Sequence, residues 1–111
     1  MIKRFTFAIS VLYSAVCCAT EQYGVTIEKL NVNREAQMVF VRTSQTPLAN
    51  GCHTDTNWSF TFLLSSDADK ATYSTLLAAK LAEKNVDIVG YGTCPSGGGT
   101  IEELRWLTIP S

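Results

Sequence analysis

Alternation of apolar and polar residues divides residues 20–111 into five strand-like stretches and one helix. The first strand is predicted over Tyr23 to Val32 and the second over Gln37 to Arg42, with Asn33 to Glu35 as the turn between them. The apolar positions of the first stretch fall in two phases, Val25 with Ile27 and then Leu30 with Val32. This change of phase predicts a β-bulge, and the two strands are expected to form a hairpin.

A polar stretch from Thr43 to Asn57 has the composition of a loop and precedes the clearest alternation in the chain. Large apolar and small polar residues alternate over Trp58 to Leu63, which predicts a third, half-buried strand. Trp58, Phe60 and Phe62 share one phase of it, so all three are expected to face the core.

A helix is predicted from about Ala68 to Lys84. N-cap candidates Ser65 to Asp67 precede it, and Asn85 is the expected left-handed stop. Its apolar side is predicted to consist of Tyr73, Leu76, Leu77 and Leu81. Small residues form a stripe on the opposite side, at Ala71, Thr75, Ala78 and Ala82. This stripe either allows a second helix to approach closely or reflects the high helix propensity of alanine.

Two further strands are predicted, Val86 to Gly92 and Ile101 to Ile109, separated by a glycine-rich loop. The order β-β-β-α-β-β is that of the OB-fold, so we expect a mainly β protein with one helix and a five-stranded, OB-fold-like barrel. An α+β sheet with one packed helix is the alternative that the same pattern permits.

The start of the chain has the layout of a secretory signal peptide. Lys3 and Arg4 precede the apolar run Phe5 to Cys18, which is followed by Ala19. This run is shorter than the roughly 20 residues needed to span a bilayer, so no membrane span is expected. We therefore predict a signal peptide over residues 1–19, a single mature domain over residues 20–111, and a secreted or periplasmic location.

The positions of the cysteines suggest an alternative location for the protein and predict one disulfide bond. A lipoprotein signal with Cys17 or Cys18 as the acylated residue would anchor the protein to a membrane, although Val16 is a poor match to such signals. Cleavage at the predicted site removes both of these cysteines and leaves only Cys52 and Cys94 in an oxidising compartment. These two are predicted to form a disulfide.

Charge and residue types exclude several classes of function. Removal of the signal leaves 7 basic residues against 10 acidic ones, a formal net charge of −3, and no basic run, so no nucleic-acid partner is expected. His53 is the only histidine, and neither its neighbour Cys52 nor Asp55 completes a catalytic or metal site with it. Glu102 and Glu103 are adjacent and would face opposite sides of a strand. We therefore expect no cofactor, no metal and no enzymatic activity, with a hydrolase as the least favoured reading.

The predicted order of elements, the signal peptide, the aromatic third strand and the cysteine after the fourth strand together resemble small secreted bacterial OB-fold proteins. Among these are the B subunits of AB5 toxins, notably the subtilase-cytotoxin and pertussis-like groups. The stretch Tyr91 to Cys94 followed by Ile101 to Arg105 is also similar to a family of uncharacterised secreted bacterial proteins. The resemblance implies an oligomeric, glycan-binding subunit, but no sugar-contacting residue of the toxin groups can be aligned with this chain.

The disulfide would join the polar loop to the glycine-rich loop and so create one surface. The candidate ligand-binding residues near that surface are Tyr91, Trp106, His53 and Asp55, of which the aromatic rings could stack on a sugar. A binding module for a glycan is one hypothesis, with homo-oligomer contacts through the small-residue stripe of the helix. A periplasmic structural or inhibitory protein that binds a protein partner through an edge strand or loop is the other.

Overall fold

The computed structural model describes residues 19–95 and 99–110. The predicted signal segment up to Cys18, with both candidate lipidation sites, lies outside the described residues, as do Gly97 and Gly98 of the glycine-rich loop. The elements are, in chain order, β1 Glu21–Val25, β2 Ile27–Asn33, β3 Met38–Thr43, β4 Phe60–Leu63, α1 Asp67–Leu81, β5 Val86–Gly90 and β6 Leu104–Thr108.

The strands form two three-stranded antiparallel sheets, one in the order β1-β5-β6 and the other in the order β2-β3-β4. The predicted class, mainly β with one helix, is confirmed, but the predicted five-stranded barrel is wrong. The described residues form six strands, and the two sheets that they make do not close into a barrel. Where β4 approaches β6, the described residues form one parallel bridge, Thr61 with Glu103, with Thr61 N–H donating to Glu102 O at 2.9 Å. A closed barrel would require continuous hydrogen-bonded pairing between β4 and β6 in place of this single bridge.

The first predicted strand divides into β1 and β2 at Thr26. Gly24 has a left-handed φ of 66°, and the pairing register shifts on both sides of the break. The amide of Gly24 donates to Asp87 Oδ1 at 2.9 Å, and that of Thr26 donates to Ser44 Oγ at 3.1 Å. The predicted change of phase between Ile27 and Leu30 coincides with the register shift between Ile27 and Lys29 within β2. The break at Thr26, where the chain leaves one sheet and enters the other, lies between two residues of the same phase and is not predicted by the pattern.

The core lies between the two sheets and the helix. Alternation along β3 buries Val39, Val41 and Thr43, and Phe60 of β4 is also fully buried. The buried apolar residues that form one cluster are Val25, Ile27, Val39, Val41, Phe60, Phe62, Leu76, Ala79, Val86, Ile88 and Leu104. Burial of these side chains is the main favourable term for folding.

Trp58 is not in this core, contrary to the sequence prediction. It is half-buried, and its ring centroid lies 5.7 Å from that of Phe40, which is also half-buried. Lys29 Nζ lies 5.8 Å from the centroid of the Trp58 ring. The strand begins at Phe60, and Ser59 occupies a buried position ahead of it with its N–H bonded to Val41 O at 2.7 Å. Trp58 therefore precedes the hydrogen-bonded pairing of β4 with β3, so this pairing does not place its side chain on the same face as that of Phe60.

The helix begins where the sequence predicts and ends earlier. Ser66 is the N-cap, and it exchanges hydrogen bonds with Asp69 in a capping box. The backbone N–H of Ser66 donates to the Asp69 carboxylate and lowers its pKa. The helix is capped at Ala82, and the left-handed residue that follows is Glu83, with a φ of 52°, rather than Asn85.

The buried side of the helix is narrower than predicted. Leu76 and Ala79 are buried, but Leu77 is 37% exposed and Leu81 is 75% exposed. Lys80 Nζ donates to Glu28 O at 3.0 Å, so this side chain lies across β2. The side of the helix that faces the core is therefore centred between Leu76 and Ala79 and not on the predicted leucine side, and Leu77 and Leu81 remain at the surface.

Candidate functional site

The predicted disulfide between Cys52 and Cys94 is confirmed, with the two Cα atoms 6.0 Å apart. It joins the loop between β3 and β4 to the segment after β5. Close by, the backbone N–H groups of Thr54 and Asp55 both donate to Thr100 O, at 2.9 and 3.1 Å. Covalent and hydrogen bonds thus hold two long loops against each other.

A cavity of about 150 Å³ lies under the β3–β4 loop. Its wall combines the residues at the start of β1, the loop itself and the residues ahead of β6. The lining residues are Thr20, Gln22, Gln45, Thr46, Pro47, Leu48, Asn50, His53, Ser59 and Glu102. Gln45, Thr46, Leu48 and Asn50 are exposed and form its rim. The deeper wall is formed by buried polar side chains.

His53 is the most informative residue of this cavity. It is 5% exposed, and its backbone N–H and C=O pair with those of Asn50 at 2.9 Å each. The Nδ1 atom accepts a hydrogen bond from the Glu102 N–H at 2.8 Å, so in the neutral ring the proton is on Nε2. Nε2 is buried and has no partner among the described residues. A buried, unsatisfied donor costs about 1–3 kcal/mol, which a bound acceptor would offset.

Glu102 provides the carboxylate of the cavity. It is 5% exposed, and its Oε2 accepts hydrogen bonds from Thr20 N–H and Gly92 N–H, both at 2.9 Å. Gly90 provides the space for it, because a Cβ there would overlap Oε2 and lie 2.6 Å from Glu102 Cδ and 2.8 Å from Phe60 Cε1. The glycine therefore permits close approach of the carboxylate to the β5 backbone.

Gln22 and Ser59 are held in place by Thr43, which is fully buried. Thr43 Oγ1 donates to Gln22 Oε1, and Thr43 N–H donates to Ser59 Oγ at 3.1 Å. These bonds restrict the rotamers of two cavity side chains. The inner wall is thus polar and ordered before any ligand binds.

The structure brings only one of the four predicted ligand-binding residues, His53, into the cavity. Tyr91 and Trp106 are exposed and do not line it, and the Arg105 guanidinium lies 5.8 Å from the Tyr91 ring centroid. Asp55 is half-buried and accepts a hydrogen bond from Asn57 N–H at 2.9 Å. His53 is buried, contrary to the solvated state that is usual for a histidine in a polar loop.

Sequence reasoning missed Glu102 as a site residue because it considered this residue only together with Glu103. Glu102 is buried, whereas Glu103 is half-buried. A signal was present in Gly90, the last residue of β5, since glycine in a strand marks close approach of another group. No group of three histidine, cysteine, aspartate or glutamate residues that could hold a metal ion occurs within residues 19–95 and 99–110.

The described part of the chain contains no helix that is both long and apolar enough to cross a membrane. Comparisons with protein-family models, with curated proteins and with solved structures find no match to this chain.

Proposed function

We propose that the protein is a secreted or periplasmic binding module that takes one small, hydroxyl-rich group, such as the terminal sugar of a glycan, into the cavity beside the disulfide. The observation that carries this proposal is the buried Nε2–H of His53, which has no partner within the described structure. Because Nε2 is fully buried, a ligand hydroxyl accepts from it only after a small shift of the neighbouring side chains, and it can then donate to a neighbouring oxygen at the same time.

The lining supports a polar, uncharged ligand. Amide side chains at Gln22, Gln45 and Asn50 supply both donors and acceptors, and Pro47 and Leu48 supply an apolar side. A cavity of about 150 Å³ accommodates one six-membered ring. We therefore propose recognition of a single residue of a glycan rather than of an extended oligosaccharide.

The order of strand pairing supports relating this fold to an open OB-like arrangement. The strand β4 bridges to the residues ahead of β6, β6 pairs with β5, β5 pairs with β1, and β1 continues into β2. We propose the toxin-B type of glycan-binding subunit on this pairing and on the sequence resemblance.

Two substitutions of His53 separate binding from stability. His53→Asn retains an acceptor near the position of Nδ1 and removes the Nε2–H donor, so we expect at least about tenfold weaker binding with little loss of stability. His53→Gln retains a distal donor and removes the acceptor for Glu102 N–H, so it should lower the free energy of unfolding by about 1–3 kcal/mol. A glycan array identifies the ligand, and calorimetry and urea unfolding of the three proteins measure the effects.

The proposal would be contradicted by an array without any bound glycan, together with no change in the His53 NMR signals in the presence of monosaccharides at millimolar concentration. Equal affinities of wild type and His53→Asn would also contradict it, because the ligand would then bind elsewhere.

A second candidate function, self-association through α1, is favoured by the exposure of Leu77 and Leu81. In the small-residue stripe, Ala71, Ala78 and Ala82 are also exposed, and Thr75 is half-buried with its Oγ1 donating to Ala71 O at 2.9 Å. Exposed leucines on a helix favour a covered surface over a solvated one.

Ala78→Glu tests this association. If the helix packs against another copy, a buried charge should dissociate the oligomer, whereas an exposed alanine tolerates the change within about 0.5 kcal/mol. Light scattering at high concentration measures the mass, and Ala36→Glu in the exposed β2–β3 turn is the matched control. A monomeric wild type would contradict both the association and the toxin-B type of assembly.

A further inference from the structure

We propose that cleavage of the Ala19–Thr20 bond creates an α-ammonium group that forms an ion pair with the buried Glu102 carboxylate, so that export processing completes the wall of the cavity. This inference rests on the proposed secretion of the protein. It adds a processing-dependent charge pair to the same site.

The geometry places the predicted cleavage point directly at the carboxylate. Thr20 N lies 2.9 Å from Glu102 Oε2, and Thr20 O accepts from Gly90 N–H at 2.9 Å, which fixes the backbone of Thr20 against β5. Thr20 is half-buried and Glu102 is buried, and both line the cavity. The backbone is thus already in position for the pair.

The carboxylate has no countercharge in the structure as described. Its Oε2 is bonded to two neutral backbone N–H groups, and within residues 19–95 and 99–110 Glu102 forms no ion pair with a lysine, arginine or histidine side chain. A buried carboxylate without a cationic partner is unfavourable, because the protein interior does not replace its hydration. A cation at the position of Thr20 N would remove this penalty.

Hydrolysis supplies that cation without a cofactor. Water adds its hydroxyl to the Ala19 carbonyl carbon and a proton to the Thr20 nitrogen, and the C–N bond between them breaks. The new α-amino group has an ordinary pKa of about 8, so at neutral pH it carries a positive charge and three donors in place of one amide N–H. The uncleaved chain can offer only the neutral amide that the structure describes.

A two-by-two comparison tests the pair in the exported protein. The first change inserts one alanine between Ala19 and Thr20, which keeps an N-terminal ammonium but moves it one residue away and restores the amide at Thr20. The second change, Glu102→Gln, retains the acceptor and removes the charge. We expect the insertion to raise the unfolding equilibrium constant about tenfold with Glu102 present, and to have no effect with Gln at that position.

Reactivity of the α-amino group provides a second measurement that does not depend on the glutamine variant. An ion pair stabilises the ammonium form, so acylation of the mature N-terminus by an amine-reactive ester at neutral pH should be slower than that of the alanine-extended protein. Intact mass identifies the acylated and unacylated species.

Different outcomes would contradict cleavage before Thr20 and the ion pair with Glu102. An exported protein whose mass does not correspond to a start at Thr20 overturns the processing step and the proposed secretion signal with it. A start at Thr20 with equal stability and equal acylation rate in the mature and extended proteins overturns the ion pair alone.

Discussion

Replacement of both Cys52 and Cys94 by serine is expected to lower the free energy of unfolding by about 4 kcal/mol. The bond spans a sequence separation of 42 residues, and constraint of a loop of that length in the unfolded chain accounts for a stabilisation of about this size. For a domain of this length it is a large fraction of the total stability. Urea unfolding of the oxidised protein and of the double variant measures the difference.

Reduction of the disulfide in the wild-type protein should lower the free energy of unfolding by the same amount. A reducing agent should not change the stability of the double variant. Binding of the proposed ligand should weaken together with stability, because the disulfide holds the loop that covers the cavity. An oxidised protein no more stable than the double variant would show that strain in the folded state cancels the constraint on the unfolded chain.

Gly90→Ala should destabilise the protein by about 3 kcal/mol. The added Cβ would overlap Glu102 Oε2 and lie 2.8 Å from Phe60 Cε1, so the carboxylate must leave its two hydrogen bonds or the ring of Phe60 must shift within the core. Thermal and urea unfolding measure the loss of stability.

Gly24→Ala is the matched control for this substitution. A Cβ at Gly24 would have no atom within 4 Å among the described residues beyond its chain neighbours, but the left-handed φ of 66° adds a conformational cost of about 1 kcal/mol. A larger loss at Gly24 than at Gly90 would contradict the close-packed position of the Glu102 carboxylate.

Features set by neighbouring residues could be predicted from the sequence. The start of α1 can be predicted because capping by Ser66 and Asp69 involves residues only three positions apart. The irregularity between Ile27 and Lys29 in β2 is likewise predictable, because it changes the phase of apolar residues that are close together in the sequence. The disulfide could be predicted because the predicted signal cleavage leaves two cysteines, which have only one pairing.

Features set by contacts between distant residues could not be predicted. Thr20 and Glu102, which share the cavity wall, are 82 positions apart. Burial of His53 depends on the N–H of Glu102, 49 positions away, and the exposure of Leu77 depends on which side of α1 packs against the sheet. Periodicity identifies apolar and polar sides of an element, but the rotation of that element is decided by its neighbours.

The division of the first predicted strand at Thr26 also constrains the order of folding. The sheet β2-β3-β4 pairs strands that follow one another within residues 27–63, so it requires only local chain closure. The sheet β1-β5-β6 pairs Glu21 with Val89 and cannot assemble until almost the whole described chain is available. Closing such a long loop is entropically slow. A chain that emerges from an export channel with β1 first would therefore hold its earliest strand unpaired until the last ones arrive, and the contact between Thr20 and Glu102 would be among the final ones to form.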